Sequence, residues 1–126
     1  MKEIIKTAGE ILCVLAVLVI IAAALLLLTG TKPAVVLSGS MEPTIHTGSI
    51  VLIHTNVNTL KEKDIVAFER GGTMVVHRLV GKTDEGWITR GDANQTDDPW
   101  RVQDEEITGK TVFWIPKLGY LMWRGA

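Results

Sequence analysis

Two serines flank a glycine in Ser38-Gly39-Ser40, and Met41-Glu42-Pro43-Thr44 follows at once; in this stretch residue types and spacing could do chemistry. Pro43 fixes its own φ and pushes Glu42 toward extended geometry, which disfavours a helix start and predicts a turn. Gly39 has no Cβ and is expected to let a second backbone approach closely. A serine hydroxyl exposed on such a turn beside backbone N–H groups meets the needs of acyl transfer, a nucleophile with donors aimed at the developing oxyanion. Ser/Gly/Pro clusters are also the ordinary material of polar turns, so the octapeptide Leu37–Thr44 alone favours the plainer reading.

A nucleophile needs a base. Thr73–Val80 reads as a strand with Thr73, Val75, His77 and Leu79 on one face and Met74, Val76, Arg78 and Val80 on the other. A histidine between Val75 and Leu79 is more often a buried one satisfied by a carbonyl. The functional alternative is a general base set by a carboxylate neighbour. His46 sits in the turn between Thr44 and Gly48, close to Ser40 along the chain, and His54 ends a strand, where a solvated side chain is expected.

The acidic counterpart is Gly91-Asp92-Ala93-Asn94-Gln95-Thr96-Asp97-Asp98-Pro99, a composition typical of loops. Asp92, Asn94, Thr96 and Asp98 alternate as in a calcium loop. Yet Asp97 stands where an EF-hand needs Gly, and Gln103 where it needs a bidentate Glu. Beside the plain loop, a third reading is a carboxylate that orients a histidine. Asp92 follows Gly91, where the chain can turn sharply, and Asp98 precedes Pro99, which holds its backbone extended.

These residues must be positioned by the elements around them. Ile11 to Leu28 is an unbroken apolar run that reaches about 27 Å as a helix, close to the thickness of a bilayer's hydrocarbon core. No A-x-A-like cleavage site follows it, and no polar stripe interrupts it, so it reads as a permanent single-span anchor. Lys2, Lys6 and the free amine precede the run and only Lys32 follows closely, which places the N-terminus in the cytoplasm and the remainder outside. Ser40 is then expected to work near the membrane surface. The lone Cys13 lies inside the run, so no intrachain disulfide forms. A net charge of −1 without a basic cluster gives no sign of nucleic-acid binding.

Beyond the anchor, β-like runs at Ser49–His54, Asp64–Phe68, Thr73–Val80, Trp87–Thr89 and Ile107–Trp114 alternate with turn formers, and Gly71-Gly72 signals a hairpin. The expected fold class is mainly β: a compact antiparallel barrel- or sandwich-like domain over 33–126, with Greek-key possibilities, behind a tail and anchor over 1–32. Phe113, Trp114, Leu118, Tyr120, Leu121, Met122 and Trp123 suit a membrane-dipping surface, although Phe113 and Leu118 are better read as core.

Four blocks in this order, Ser38-Gly39-Ser40-Met41-Glu42-Pro43-Thr44, Gly48-Ser49-Ile50-Val51, His77-Arg78-Leu79-Val80 and Gly91-Asp92-Ala93-Asn94 through Asp97-Asp98, resemble type I signal peptidases. The similarity is to the archaeal and endoplasmic-reticulum branch, in which histidine is the base. It covers nearly all of residues 5–120, and many relatives continue past the Gly119-Tyr120 region into a second span. By resemblance Ser40 corresponds to the nucleophile, and its N–H with the Ser38 hydroxyl to the oxyanion hole. His77 then corresponds to the base, Asp98 to its carboxylate partner, and Asp92 to the other acidic residue of the loop. Asp92 is the alternative partner of His77.

The implied reaction is removal of signal peptides from exported preproteins by cleavage after small residues, with substrate bound as an extended strand. No metal or organic cofactor is implied. The implied partners are signal peptides and the lipid bilayer, with other membrane subunits or the secretion channel beside them, and no nucleic acid. Two other classes stay open. One is a non-catalytic, membrane-tethered β-module that binds partners, for which an intact Ser40, His77 and Asp98 set is unnecessary. The other is a self-cleaving repressor-type protease, which would use a lysine base such as Lys63 or Lys82 and needs no anchor.

Overall fold

The computed structural model describes residues 1–116. Contacts divide the chain into two units, Met1–Gly30 and the remainder from Thr31. The first unit is helix α1, Lys2–Leu28, longer than the apolar run because Lys2 to Glu10 continue it in helical geometry. It is long and apolar enough to cross a membrane. It ends where Gly30 takes φ 85°, a conformation that a side chain would strain, and where the Gly30 N–H reaches Leu27 O at 3.2 Å.

The second unit is a six-stranded antiparallel sheet. Its strands are β1 (Thr31–Val35), β2 (Ile50–His54), β3 (Ile65–Arg70), β4 (Thr73–Thr83), β5 (Gly86–Arg90) and β6 (Ile107–Ile115), with a 3₁₀ turn at Asp104–Glu106. The spatial order β1-β2-β6-β3-β4-β5 places the hairpin-connected β3, β4 and β5 side by side and returns β6 to the far side of β3. That is a Greek-key arrangement. The β3–β4 hairpin turns on Gly71 and Gly72, both at positive φ, as a two-residue primed turn requires. The mainly antiparallel β-architecture expected from the sequence is what forms. β1 was not legible there, because Pro33 interrupts its pattern. Pro33 is tolerated because β1 is an edge strand paired only with β2.

The sheet buries side chains on both faces, which is why β3 reads Ile-Val-Ala-Phe without alternation. Ile65 and Ala67 join Val36, Met41, Ile45, Val51 and Ile53 in one cluster. Val66 and Phe68 join Leu79, Trp87 and Val102 in the other. The loop between β1 and β2 covers the first face, and the segment after β5 covers the second.

One sequence expectation is corrected. Phe113 is not core: it is 57% exposed, as is the adjacent Val112 at 55%. The pairing of β2 with β6 shifts register, matching Leu52 with Phe113 but Ile53 with Thr111. The extra residue at this bulge reverses the alternation, so Thr111 is buried, Trp114 packs on the first cluster and Phe113 points outward. Leu118, Tyr120, Leu121, Met122 and Trp123 lie outside the described residues.

Gly109, at the centre of β6, has no room for a side chain. A Cβ there would stand 2.5 Å from Ile53 Cγ2 and 2.6 Å from His54 O. Gly109→Ala is expected to lower Tm by about 5–15 °C through overpacking. Gly81→Ala, whose Cβ would meet only Ile88 Cδ1 at 3.8 Å, should change it by less than about 3 °C in the same thermal melt.

Candidate active site

Ser40 sits in the loop between β1 and β2, whose ends are closed by Val36 N–H to Ser49 O at 2.9 Å and Gly48 N–H to Val36 O at 2.7 Å. Met41 and Ile45, both fully buried, pull the inner side of this loop into the first cluster and leave Ser40 half-exposed on the outer side. The Ile45 N–H donates to Met41 O at 2.9 Å, and the Glu42 carboxylate accepts the Thr47 N–H at 3.2 Å, so the turn is hydrogen-bonded on both sides of Pro43. The Thr47 N–H holds the Glu42 carboxyl below its ordinary value.

The serine turn is stapled to the acidic loop. Ala93 N–H donates to Ser40 O at 2.9 Å, and Thr44 Oγ1 donates to Asp92 Oδ2 at 2.6 Å. Asp92 also receives a two-pronged pair from Arg78, Nε to Oδ1 at 2.8 Å and a terminal nitrogen to Oδ2 at 2.7 Å. The remaining Arg78 fork reaches the Lys63 carbonyl at 2.7 Å. Arg78 and then Thr44 hold the Asp92 carboxyl below its ordinary value of 3.8, against the opposing effect of burial, and Asp92 in turn raises the Arg78 guanidinium. Asp92 therefore lies among structural partners and does not touch His77 through any hydrogen bond among the described residues.

His77 projects from β4 into the second face, only 6% exposed, with Phe68 edge-on at 6.4 Å between ring centroids. Its Nδ1 is 2.6 Å from Asp98 Oδ2. Asp98, 8% exposed, also accepts the Thr89 hydroxyl at 2.6 Å, and its N–H donates to Thr89 O at 2.8 Å. A buried carboxylate held from two directions keeps one orientation, and the imidazole it engages through Nδ1 presents Nε2. Ser40 Oγ lies 3.2 Å from Ser38 Oγ, and no hydrogen bond joins it to His77 among the described residues. Ser38, Ser40, His77, Asn94 and Asp98 all line one cleft of about 500 Å³.

The glycine that matters for close approach is Gly91, not Gly39. A Cβ on Gly39 would meet only the Glu42 carboxyl and Thr47 Oγ1, at an ordinary 3.6 Å. A Cβ on Gly91 would stand 2.5 Å from Ser40 O, 2.8 Å from Asn94 Nδ2 and 3.1 Å from His77 Nε2. Gly91 is thus the thin wall between the serine turn and the imidazole, and space, not a left-handed φ, is what calls for glycine there. Sequence reasoning also missed Thr89, whose signal was its place on the strand just before the acidic loop, and Arg78, which follows His77 and so faces the opposite side of β4. The other histidines are elsewhere: His46 stands 3.6 Å from Glu42, half-exposed, and His54 contacts Thr31 Oγ1 at 3.4 Å.

The sequence pattern of the Peptidase S24-like family matches residues 29–112, the span that carries all of these side chains. The chain belongs to the Peptidase S24-like family. The chain is 38% identical over 103 residues to signal peptidase I W of Bacillus subtilis, covering 70% of this chain and 54% of that protein. It is 33% identical over 101 residues to the signal peptidase complex catalytic subunit SEC11 of Clavispora lusitaniae, covering 69% and 61%. It is 40% identical over 103 residues to the corresponding subunit of Sclerotinia sclerotiorum, covering 69% and 59%. The chain thus spans little more than half the length of these curated relatives.

Two outcomes follow for this Peptidase S24-like chain. Gly91→Ala should cost about 1–3 kcal/mol of stability, since its Cβ would overlap Ser40 O and the wall must shift; a Gly91→Ala protein with an unchanged thermal melt overturns the wall assignment. Asp92→Asn should cost about 1–3 kcal/mol of stability near neutral pH. Because the Asp92 carboxyl is depressed on folding, its contribution is present above the ordinary 3.8 and is lost as pH falls through the lower folded value. The Tm gap between wild type and Asp92→Asn should accordingly close on acidification, measured by melts across the acid range.

Proposed function

We propose that this chain is a membrane-anchored serine endopeptidase that removes signal peptides from exported preproteins by cleavage after small residues. The observation that carries the reading is the buried His77–Asp98 pair, 2.6 Å apart, opening onto the cleft that Ser40 lines. Ser40 Oγ attacks the scissile carbonyl while His77 Nε2 takes its proton. Asp98 holds the ring and stabilises the imidazolium, and His77 then returns the proton to the departing amine. The Ser40 N–H, which reaches no acceptor among the described residues, and the Ser38 hydroxyl beside it suit an oxyanion hole. Rotating Ser40 Oγ from Ser38 toward Nε2 is the adjustment this role requires.

The cleft walls support an extended substrate. One wall is formed by Ala34, Val35, Val36 and Leu37, in and just past edge strand β1; the other is Thr73 to Val76 of β4. Those β4 residues pair with β3 on one side only, because β5 joins β4 from Arg78 onward. Both walls therefore offer unpaired backbone, to which a peptide adds as a strand. Lys63 and Lys82 do not line the cleft; Lys82 lies 3.4 Å from Asp104 instead, which disfavours the lysine-based repressor reading. The apolar helix and the basic residues Lys2 and Lys6 before it support an anchor with its N-terminus in the cytoplasm and the catalytic domain outside. The yeast relative is named as a subunit of a complex, which supports other membrane subunits as partners alongside signal peptides and lipid.

The test is cleavage of a synthetic signal-peptide substrate in detergent. Ser40→Ala and His77→Ala should lose about 10⁴-fold or more in rate, with Ser40→Ala keeping its melting temperature. Ser38→Ala should lose about 100- to 1000-fold. Asp98→Asn should lose most activity and, because Asp98 accepts two buried hydrogen bonds, about 1–3 kcal/mol of stability. His46→Ala and His54→Ala should remain active. A folded Ser40→Ala chain with substantial activity sinks the proposal.

A further inference from the structure

One polar side chain at the centre of the cleft has no part in the reaction as described. Asn94 lines the cleft and is exposed. Its amide nitrogen and His77 Nε2 crowd the same point, the site of an added Gly91 Cβ, at 2.8 and 3.1 Å. Its backbone is not free to drift: Asn94 N–H donates to Gly91 O at 2.9 Å, and the preceding Ala93 N–H is bonded to Ser40 O. Among the described residues its side-chain amide makes no hydrogen bond. An amide carried on a held backbone and without a protein partner, beside the free nitrogen of His77, suits a small group that both donates and accepts.

We propose that Asn94 holds the water that hydrolyses the acyl-enzyme. This rests on the peptidase reading above. After the amine has left, the water donates one hydrogen to His77 Nε2 and is bonded by the Asn94 amide. An amide can serve through either end, because water offers both a lone pair and a second hydrogen. The water oxygen forms a bond to the acyl carbonyl carbon as His77 takes its proton. The bond from that carbon to Ser40 Oγ then breaks, His77 returns the proton to Oγ, and a free carboxylic acid departs. Asn94 acts on deacylation and leaves acylation untouched, since the attack by Ser40 needs no water.

The experiment uses an activated ester of a short signal-peptide-like sequence, for which acylation is fast and deacylation limits turnover, with the full chain in detergent. Rapid quenching measures the burst, and intact-mass analysis detects the acyl adduct on Ser40. Asn94→Ala is expected to keep the burst rate, lower the steady-state rate by about 100-fold and accumulate the adduct. Equal falls in burst and steady-state rates, a change in KM alone, or no change at all each overturn the water-holding role while leaving Ser40 and His77 in place. A wild-type chain that forms no Ser40 adduct overturns the peptidase reading itself.

Discussion

The docking of the serine turn onto the 91–94 loop is the constraint on which the site depends. Ser40 and Ala93 are far apart in sequence and are joined by a backbone hydrogen bond of 2.9 Å, with Gly91 close to both Ser40 O and His77 Nε2. A backbone contact of this kind fixes position without committing the serine side chain, so the hydroxyl stays available for chemistry. Arg78, Asp92 and Thr44 clamp the same junction from behind, and the charge-assisted pair supplies directionality that a van der Waals contact lacks.

The two aspartates of one loop divide the labour by environment. Asp92 meets a permanent cation that cannot transfer a proton, and the pair ties the acidic loop to β4. Asp98 meets an imidazole that can, inside a face lined by Val66, Phe68 and Leu79. Burying a carboxylate is costly unless it is hydrogen-bonded, and Thr89 and His77 both engage its Oδ2. The Greek-key return of β6 beside β3 pairs the second edge of β3 and makes it a central strand, and Phe68 of that strand is the wall against which His77 packs.

Much of the fold was readable because its signals are local. A long apolar run can only be a helix in a bilayer or a core, and Gly71-Gly72 between β-rich stretches admits a tight hairpin. β1 escaped because a proline in a strand is permitted only at an edge, and edge position is a property of the whole sheet. Phe113 was misread because one bulge residue inverts which face each later side chain takes, and nothing in the local composition marks the bulge.

The sequence by itself determined the candidates: a serine on a turn, a histidine on a strand, two aspartates in a loop, and the order in which the chain meets them. Residue type and backbone preference act over a few positions and are written in the chain. Which aspartate faces His77, which glycine must stay small, and which asparagine stands beside the imidazole were decided only by tertiary structure. Each of those depends on atoms brought within about 3 Å across tens of residues, and that proximity comes from strand register and loop packing, which no local pattern encodes.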